Sequence, residues 1–536
     1  MRAFTHDTWA PLAYIPELGE DRTPGPTWVD EVDTRRLFAY RVLAAYVDNV
    51  RRFWLPNDRW DRQVTNTDGL IRVTKPEGQE YREYGDPGLL VETARALILG
   101  EDQAVDIDDP READVDEELP PIDSHEWIRD WAVKERLTQK LLQGEAHSVG
   151  LGDGVFVLGM DPGKGRPRLR TYDPGFFFPD PHAVVPGWVD DEFPPVVHLA
   201  WEYEKDGVTW VRRHTWAMTP LDAPVPAPWG AAREWTCMYR VVDYRLDHLR
   251  ENATVYTGEL SSVAVVVQDW TDLEVDFIPV VHVPNTPGEW GTSILLRVGQ
   301  ILDDIANTDT DVALTGQTSA APALVTQGQS PLMTGRPGEQ IGTDMAWTDT
   351  SKNLVAVHSL LDSLLERLAV NSRLAQALLG RVQPNDVPSG YALSLGFHPA
   401  RQLMREARTV RDEKYPLLLK FALRLAQVAG KVPPGETPTM RVVLGSSLPA
   451  DLGQAVDTVK ELLPVRGIST RTAVQVLIEA GLPIENARDE VAAIRQDMFE
   501  EAVKLVEATG DVDAARRMLG LPEGSPVLPA PTVPLP

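Results

Sequence analysis

A stripe of apolar residues follows an extended, proline-containing approach near the middle of the chain. The approach ends at Gly291, and four apolar residues then recur at intervals of four, three and four: Ile294, Val298, Ile301 and Ile305. This spacing places them on one face of an α-helix. Four carboxylates fall on the other faces: Asp303, Asp304, Asp309 and Asp311. The pattern predicts a helix over 292–314 with one apolar seam and an acidic remainder.

A second stretch with helical spacing covers Asn353–Leu379. Its apolar residues step by three and four, as in a coiled-coil seam: Leu354, Val357, Leu361, Leu364 and Leu368. Gly380 is a suitable helix stop, and at 1.5 Å per residue the helix is about 40 Å long. The segment between the two helices, residues 316–350, is rich in glycine, proline and threonine and predicts small β structure or exposed loops.

The rest of the chain divides by periodicity into a helical beginning, a β-rich middle and a helical end. Val29–Trp54 and Trp127–Leu142 have helical spacing. Residues 150–283 are predicted to be largely β, starting with two strands around a DPGKG turn. The predicted strands in this region are Val155–Leu158, Leu169–Tyr172, Ser262–Gln268 and Phe277–Val283.

After the second seamed helix, a polar loop precedes a third helical region, Tyr391–Ala429. Pro399 and Pro416 are expected to interrupt it, with a kink at Pro416 because proline has no N–H and clashes with the preceding turn. Thr439–Leu444 predicts a lone strand, and residues 451–519 predict a set of short helices.

The net charge of the chain limits the classes of function that the sequence favours. The 536 residues carry a formal net charge of −28, which repels DNA rather than gathering it. Eleven of the acidic residues lie in Gly100–Asp123 against one base, Arg111, and predict an exposed acidic loop. The single cysteine, Cys237, excludes an internal disulfide and is expected to be a packed residue. No apolar run approaches the ~20 residues that span a bilayer, so the expectation is a soluble, intracellular type of protein.

The motifs that could indicate a phosphate-binding or metal site lack the residue spacing that such sites require. Gly159–Arg166 resembles a phosphate-binding loop, but the Walker spacing and the Ser or Thr after the lysine are missing, so a hairpin turn is favoured. The four aspartates of the first seamed helix suggest a metal cluster, but no glycine stands where an EF-hand needs it. A solvated acidic face is therefore preferred, and a metal-dependent enzyme stays as an alternative. The sequence predicts no catalytic residue, metal or cofactor.

The order of several stretches is more specific than any single motif. In chain order these are LGDGVFVLGMD (151–161), RLRTYDPGFFFPD (168–180), FIPVVHVPN (277–285), GTSILLRVGQILDDIAN (291–307), PSGYALSL (388–395) and GISTRTAVQVLIEAGLPIENARDEVAAIR (467–495). With two long helices bracketing a Gly/Pro-rich insert, residues 29–519 resemble the portal proteins of tailed double-stranded DNA bacteriophages.

The resemblance implies an α+β, portal-type fold with a mixed wing, two stem helices, a small clip, a long kinked helix and a helical crown. By position, the segments are an N-terminal arm (1–28), the wing (29–283), the first stem helix (284–315), the clip (316–350), the second stem helix (351–380), a tunnel loop (381–390), the long wing helix with its return strand (391–450), the crown (451–520) and a disordered proline-rich tail (521–536).

The resemblance also implies a role and partners. Portals form rings of about twelve subunits at one capsid vertex and conduct double-stranded DNA during packaging and ejection. The implied partners are the major capsid protein, the terminase, which hydrolyses ATP, and the head–tail connector proteins. The implied location is the virion, after assembly in the host cytoplasm. A helical adaptor that forms no ring is the other alternative.

Residue roles follow from the same map. The residues expected to face the channel are Asp303, Asp304, Asp311, Arg381, Gln383, Asn385 and Asp386. The residues expected to pack subunits together are Ile294, Val298, Ile301, Ile305, Leu354, Val357, Leu361 and Leu364. An acidic lining suits a conduit, because Lys and Arg contacts to phosphates would hold DNA in place.

Overall fold

The structure is a computed structural model of the 536-residue chain. It describes residues 31–49, 63–66, 69–72, 84–100, 103–107, 123–180, 183, 185–188, 193–247, 259–320, 324–326, 345–347, 351–374, 378–379, 396–445, 452–465, 467–479, 482, 484, 487–509 and 512–519. The chain divides into two compact units, residues 1–99 with 103–443 and residues 100–102 with 444–536. The predicted α+β class is confirmed.

The helices of the described residues are α1 (Glu31–Val47), α2 (Asp86–Leu99), α3 (Asp123–Lys134), α4 (Leu137–Leu151), α5 (Gly299–Ala320), α6 (Ser351–Ser372), α7 (His398–Val428), α8 (Leu452–Leu462), α9 (Thr470–Glu479), α10 (Ala487–Thr509) and α11 (Val512–Leu519). Within the same described ranges, 3₁₀ turns cover Pro174–Phe176 and Ile294–Arg297. No helix among these residues is both long and apolar enough to cross a membrane.

The strands are β1 (Gln63–Asn66), β2 (Gly69–Arg72), β3 (Gln103–Ile107), β4 (Asp153–Asp161), β5 (Arg166–Tyr172), β6 (Phe177–Asp180), β7 (Val196–Lys205), β8 (Val208–Pro226), β9 (Ala232–Asp247), β10 (Glu259–Asp272), β11 (Val280–Pro284), β12 (Leu324–Thr326), β13 (Met345–Trp347) and β14 (Met440–Leu444). The predicted strands around the DPGKG turn and the β-rich character of residues 150–283 are confirmed.

Two antiparallel sheets organise the larger unit. One has the order β11-β4-β5 and the other the order β10-β9-β8-β7-β6. Helices α4 and α7 pack on the first sheet, burying Phe156, Leu158 and Leu169 on the face they share. Helix α1 lies at the second sheet, where Leu37 and Tyr40 enter a core cluster. The other buried members of this cluster are Leu151, Phe178, Ala200, Val211 and Leu246.

Several predicted helix boundaries are wrong, each for a local backbone reason. The first helix ends at Val47 rather than Trp54, and Asn49 is left-handed (φ 54°), a conformation that asparagine tolerates. The segment predicted as one helix over Trp127–Leu142 forms two helices, because the left-handed backbone of Arg136 (φ 54°) ends the regular helical conformation between α3 and α4. Helix α7 runs continuously from His398 through Pro416, so no interruption occurs there, and the kink stays a prediction.

The acidic segment contains a strand that the sequence did not predict. Strand β3 pairs with β14, so the strand predicted as lone has a partner. Arg441 of β14 donates to Asp106 of β3 at 2.6 and 2.9 Å, which offsets part of the local negative charge. Residues 101–102 and 108–122 of the predicted acidic loop lie outside the described residues, as do the N-terminal arm 1–28 and the tail 521–536.

The smaller unit contains α8 to α11. Helices α8, α9 and α11 have 11, 10 and 8 residues, as the prediction of short helices over 451–519 requires, whereas α10 has 23 residues and is longer than predicted. Ala502 of α10 and Ala515 of α11 are fully buried against Leu505, Val506 and Leu519. Ser469 accepts a hydrogen bond from the Thr472 N–H and thereby caps the start of α9. Small residues at the contact let the two helices approach closely.

Candidate functional site

The two predicted seamed helices exist and pack against each other as α5 and α6. Both have 22 residues, so each is about 33 Å long. The second ends seven residues earlier than predicted, because Arg373 is left-handed (φ 61°) and stops the helix before Gly380. The insert is smaller than predicted: α5 extends to Ala320, and β12 pairs antiparallel with β13 just before α6 begins.

Part of each apolar seam is buried within a single chain, and the role predicted for these residues between subunits stays a prediction. Ile294, Val298 and Ile305 are 8%, 0% and 2% exposed. Leu364 is 8% exposed, and Leu368 is also buried. These side chains therefore pack mainly against other parts of the same chain. The physical reason is that the chain supplies its own cover, since α1, α2 and α6 all contact the 3₁₀ turn at Ile294–Arg297.

The remaining members of the predicted seams stay available in part. Ile301, Val357 and Leu361 are half-buried, and the side chain of Leu354 lies outside the described residues. Two residues outside the predicted set are far more exposed, Val355 at 74% and Val370 at 77%. The periodicity predicted both helices correctly, but it did not predict which face of each helix is exposed to solvent.

The chain enters α5 through one turn of 3₁₀ helix rather than directly after Gly291. Ser293 causes this start: its hydroxyl accepts from the Leu295 N–H (3.1 Å) and donates to the Gly150 carbonyl (2.7 Å). A serine cap satisfies a free amide at a helix start, and here it also fastens the start to the end of α4.

A buried carboxylate, Asp153, joins three distant segments at this entry. The Tyr40 hydroxyl donates to Oδ2 at 2.6 Å, while His282 Nε2 and the Gly291 N–H both lie 2.8 Å from Oδ1. Asp153 is 1% exposed, so these donors replace the water that burial removed. Burial and the neighbouring carboxylate raise the pKa of Tyr40 far above its ordinary value, which keeps the phenol protonated as the donor.

Two glycines allow the backbones to meet beside Asp153. A Cβ on Gly291 would lie 2.0 Å from the Gly152 oxygen and 2.4 Å from the Asn285 nitrogen. The Asn285 N–H donates to the Gly152 carbonyl at 2.7 Å, so the close approach also forms a hydrogen bond. Gly152 has a φ of +111°, which suits glycine.

Helix α1 holds both the approach and the first seamed helix. Tyr46 donates to both oxygens of Asp303 at 2.8 Å. Arg36 lies 4.1 Å from the centre of the Trp290 ring and donates to the carbonyls of Pro174 and Phe177. A guanidinium over an indole adds a cation–π contact to these hydrogen bonds. The beginning of the chain thus fixes the position of α5.

A fully buried ion pair lies next to the same entry. Arg411 of α7 donates to both oxygens of Glu145 at 2.9 and 2.8 Å, and both side chains are 0% exposed. Arg411 also donates to Ser148 and to the carbonyls of Pro284 and Asn285. Burial lowers the pKa of the guanidinium, but Glu145 outweighs it and holds that pKa above its ordinary value. Tyr415 donates to Glu145 as well.

The four aspartates do not converge. Asp304 and Asp311 are exposed, Asp303 is half-buried against Tyr46, and Asp309 is half-buried on another side of α5. Within the described ranges no group of three or more His, Cys, Asp or Glu side chains could hold a metal ion. The four carboxylates therefore do not form such a group within the described part of one chain.

The other predicted channel residues are those of the tunnel loop. Arg381, Gln383, Asn385 and Asp386 lie outside the described residues, as does most of 316–350. Sequence reasoning missed Asp153, Glu145 and Arg411, whose partners are far away in the chain. Cys237 is buried, as expected, and burial raises the pKa of its thiol far above the ordinary value.

Two histidines on the five-stranded sheet lead to a prediction of how the stability of the protein depends on pH. His214 stacks on Trp201 with ring centres 4.9 Å apart, and its Nδ1 lies 2.6 Å from the Tyr239 hydroxyl. His198 Nδ1 lies 3.0 Å from the Thr215 hydroxyl. Burial, together with a nearby arginine, lowers the pKa of each imidazole to about 4.

The unfolded chain takes up protons on these imidazoles below about pH 6.5, whereas the folded chain does not. Their contribution to stability is present above pH 6.5 and is lost as the pH falls toward 4, by up to about 1.4 kcal/mol per pH unit for each histidine. We expect Tm to fall from pH 6.5 to 5, and to fall less steeply in His198→Gln/His214→Gln. Equal slopes for the two proteins in calorimetry would contradict this.

Comparison with known proteins adds no relative. No protein-family model matches the chain, and no curated protein matches its sequence.

Proposed function

We propose that this chain is the protomer of a phage portal, a ring of about twelve subunits at one capsid vertex through which double-stranded DNA is packaged and ejected. The observation that carries the proposal is the packed pair α5 and α6, with β12 and β13 paired between them. The long helix α7 and a separate helical unit follow in the chain order expected for a portal.

The anchorage of α5 supports a mechanical role. Asp153, Ser293 and the Tyr46–Asp303 hydrogen bond tie the start of the helix to the β-rich part of the chain. A conduit must keep its walls fixed while a polymer slides past them. Asp153 and Ser293 are buried, so breaking one of their hydrogen bonds leaves an unsatisfied group, and this favours a single arrangement.

The charge supports a wall that does not bind DNA. Asp304 and Asp311 are exposed seven residues apart, about 10.5 Å along the helix. In this proposal they face the channel, whereas Asp303 serves the protomer's own packing. Carboxylates repel phosphates and form none of the contacts whose counterion release gives proteins their affinity for DNA.

The proposal gives each remaining segment a partner. The insert 316–350 meets the terminase and later the head–tail connector proteins, and the outer part of the ring meets the major capsid protein. The tunnel loop 381–390, with Arg381, Gln383, Asn385 and Asp386, lies nearest the DNA. The ring itself hydrolyses no ATP, and its place is the virion.

Mass and shape of the purified protein test the proposal directly. We expect closed rings with a central hole in negative-stain images and a mass near twelve times the 59.4 kDa protomer. The adaptor alternative predicts a monomer of 59.4 kDa at every concentration. A monodisperse monomer across the micromolar range is the result that would overturn the portal assignment.

A further inference from the structure

The edge strand β5 lies at the centre of a positively charged surface on a chain whose net charge is strongly negative. Arg166, Arg168 and Arg170 alternate along β5, so they belong to one face of the strand. The Arg166 guanidinium donates to the Lys134 carbonyl at 3.1 Å, which brings the end of α3 to the same place. The eight residues of this basic surface are Lys134, Arg136, Lys140, Lys164, Arg166, Arg168, Arg170 and Lys431.

Helix α4, the β4–β5 turn and the residues after α7 complete the basic surface. Lys140 lies one turn before Gln143, whose side chain accepts a hydrogen bond from the Thr171 hydroxyl of β5 at 3.4 Å. In the β4–β5 turn, a Cβ on Gly165 would lie 3.6 Å from the Lys431 Nζ. Four segments that are distant along the chain therefore bring cations to β5.

Most of these cations have no carboxylate beside them. Three ion pairs form at the basic surface: Lys134–Asp130, Arg166–Glu135 and Arg168–Asp161. Among the described residues, the other five cations have no ion-pair partner: Arg136, Lys140, Lys164, Arg170 and Lys431. Like charges held close together repel one another, so this surface favours a ligand that carries several negative charges.

A strongly acidic segment is joined directly to this region. Residues 108–122, which lie outside the described part of the chain, contain seven Asp and Glu residues against one cation, Arg111. The segment follows β3 and precedes Asp123, where α3 begins, and β3 contacts α3. Both of its attachment points are thus beside the helix whose other end carries Lys134.

The length of the acidic segment is sufficient to reach the basic surface. Helix α3 has 12 residues and is about 18 Å long, whereas fifteen extended residues span up to about 50 Å. The segment can therefore reach the end of α3 and return to β3. A short tether also gives it an effective concentration on the order of millimolar, which exceeds that of a separate acidic partner at micromolar concentration.

We propose that residues 108–122 dock on the basic surface of their own chain through several ion pairs. The docking places the densest acidic stretch of this region on the cations that lack a partner. Opposite charges at such a contact also determine which partners are excluded. The inference goes beyond the proposed function and does not depend on it, because the basic surface involves neither α5 nor α6.

Zero-length cross-linking with a carbodiimide tests the contact in the full-length chain, because it joins a lysine to a carboxylate only where the two groups touch. Links mapped in the 59.4 kDa band of a denaturing gel lie within one chain. We expect links from the four lysines of the basic surface to carboxylates of 108–122. Their yield should fall at about 0.5 M salt, because salt screens ion pairs. Lys205, exposed at the end of β7, is the control lysine and should give no such link.

A matched pair of double variants tests the contribution of the cations. Lys140→Gln/Arg170→Gln removes two charges from the basic surface, and Arg401→Gln/Arg405→Gln removes two exposed charges from α7. In the first variant we expect the remaining lysines of the basic surface to link to 108–122 with a yield lower by about threefold or more. In the second variant the yield should equal that of the unchanged chain.

Three results would overturn the inference. The first is the absence of links between the basic surface and 108–122. The second is that such links occur only in bands of higher mass, because the segment would then lie on another copy. The third is that duplex DNA protects the lysines of the basic surface from acetylation in the unchanged chain, which would make DNA the occupant. A ring and a monomer are both compatible with links in the 59.4 kDa band, so the outcome is separate from the portal proposal.

Discussion

Replacement of Arg411 by methionine is expected to lower the free energy of unfolding by about 3–5 kcal/mol. The reason is that the substitution leaves Glu145 without its partner. Glu145 is 0% exposed, and without the guanidinium its charge is buried with no cation beside it. The carbonyls of Pro284 and Asn285 lose a donor in the same substitution. Chemical unfolding followed by near-ultraviolet circular dichroism measures the change.

A matched control comes from an ion pair on the surface. Arg373 pairs with Glu406 at 2.9 Å, with 28% and 44% of the two side chains exposed. Arg373→Met is expected to cost about 1 kcal/mol or less. The double variant Arg411→Met/Glu145→Met should recover part of the loss, because it removes the buried charge as well. Equal stability of Arg411→Met and Arg373→Met would show that the buried pair has no special role.

Gly291→Ala is expected to destabilise the entry to α5 by about 3 kcal/mol or more. The added methyl group would meet two backbone atoms, the Gly152 oxygen at 2.0 Å and the Asn285 nitrogen at 2.4 Å. Neither can rotate away as a side chain would. The hydrogen bond from the Gly291 N–H to Asp153 would also lengthen or break. We expect a lower Tm and faster amide exchange over 293–302.

Gly435→Ala is the control for this prediction, since no heavy atom lies within 4 Å of the position that its added methyl group would take. Its Tm is expected to stay within about 2 °C of the unchanged chain, because the substitution meets no clash. If Gly291→Ala melts like Gly435→Ala, the close approach of the two backbones is not required for the fold.

The parts predicted well are those whose signal is local. The seams of α5 and α6 have a period that any helix of that kind must show, and the strands around the DPGKG turn alternate within a few residues. The start of α5 also had a local sign that the prediction did not use. Ser293 stands in the capping position, four residues from the end of the 3₁₀ turn at Arg297.

The parts predicted poorly depend on partners that are distant along the chain. Asp153 and His282 are separated by 129 residues, and Glu145 and Arg411 by 266. In the sequence, a buried aspartate looks the same as a solvated one. The apolar seam of Ile294, Val298 and Ile305 indicated that these side chains are buried against another protein surface. Only the fold shows that the cover is the same chain rather than a neighbour.

The separation of Glu145 and Arg411 has a consequence for synthesis on the ribosome. Translation proceeds at about 5–20 residues per second, so Arg411 emerges roughly 13–53 s after Glu145. Until then the Glu145 carboxylate has no guanidinium to neutralise it. Burying it in the core around α4 at that stage is therefore unfavourable, because the charge would be unpaired. The larger unit therefore completes its folding late, when most of the polypeptide has left the exit tunnel. Nascent chains released before residue 411 are the ones we expect chaperones and proteases to capture.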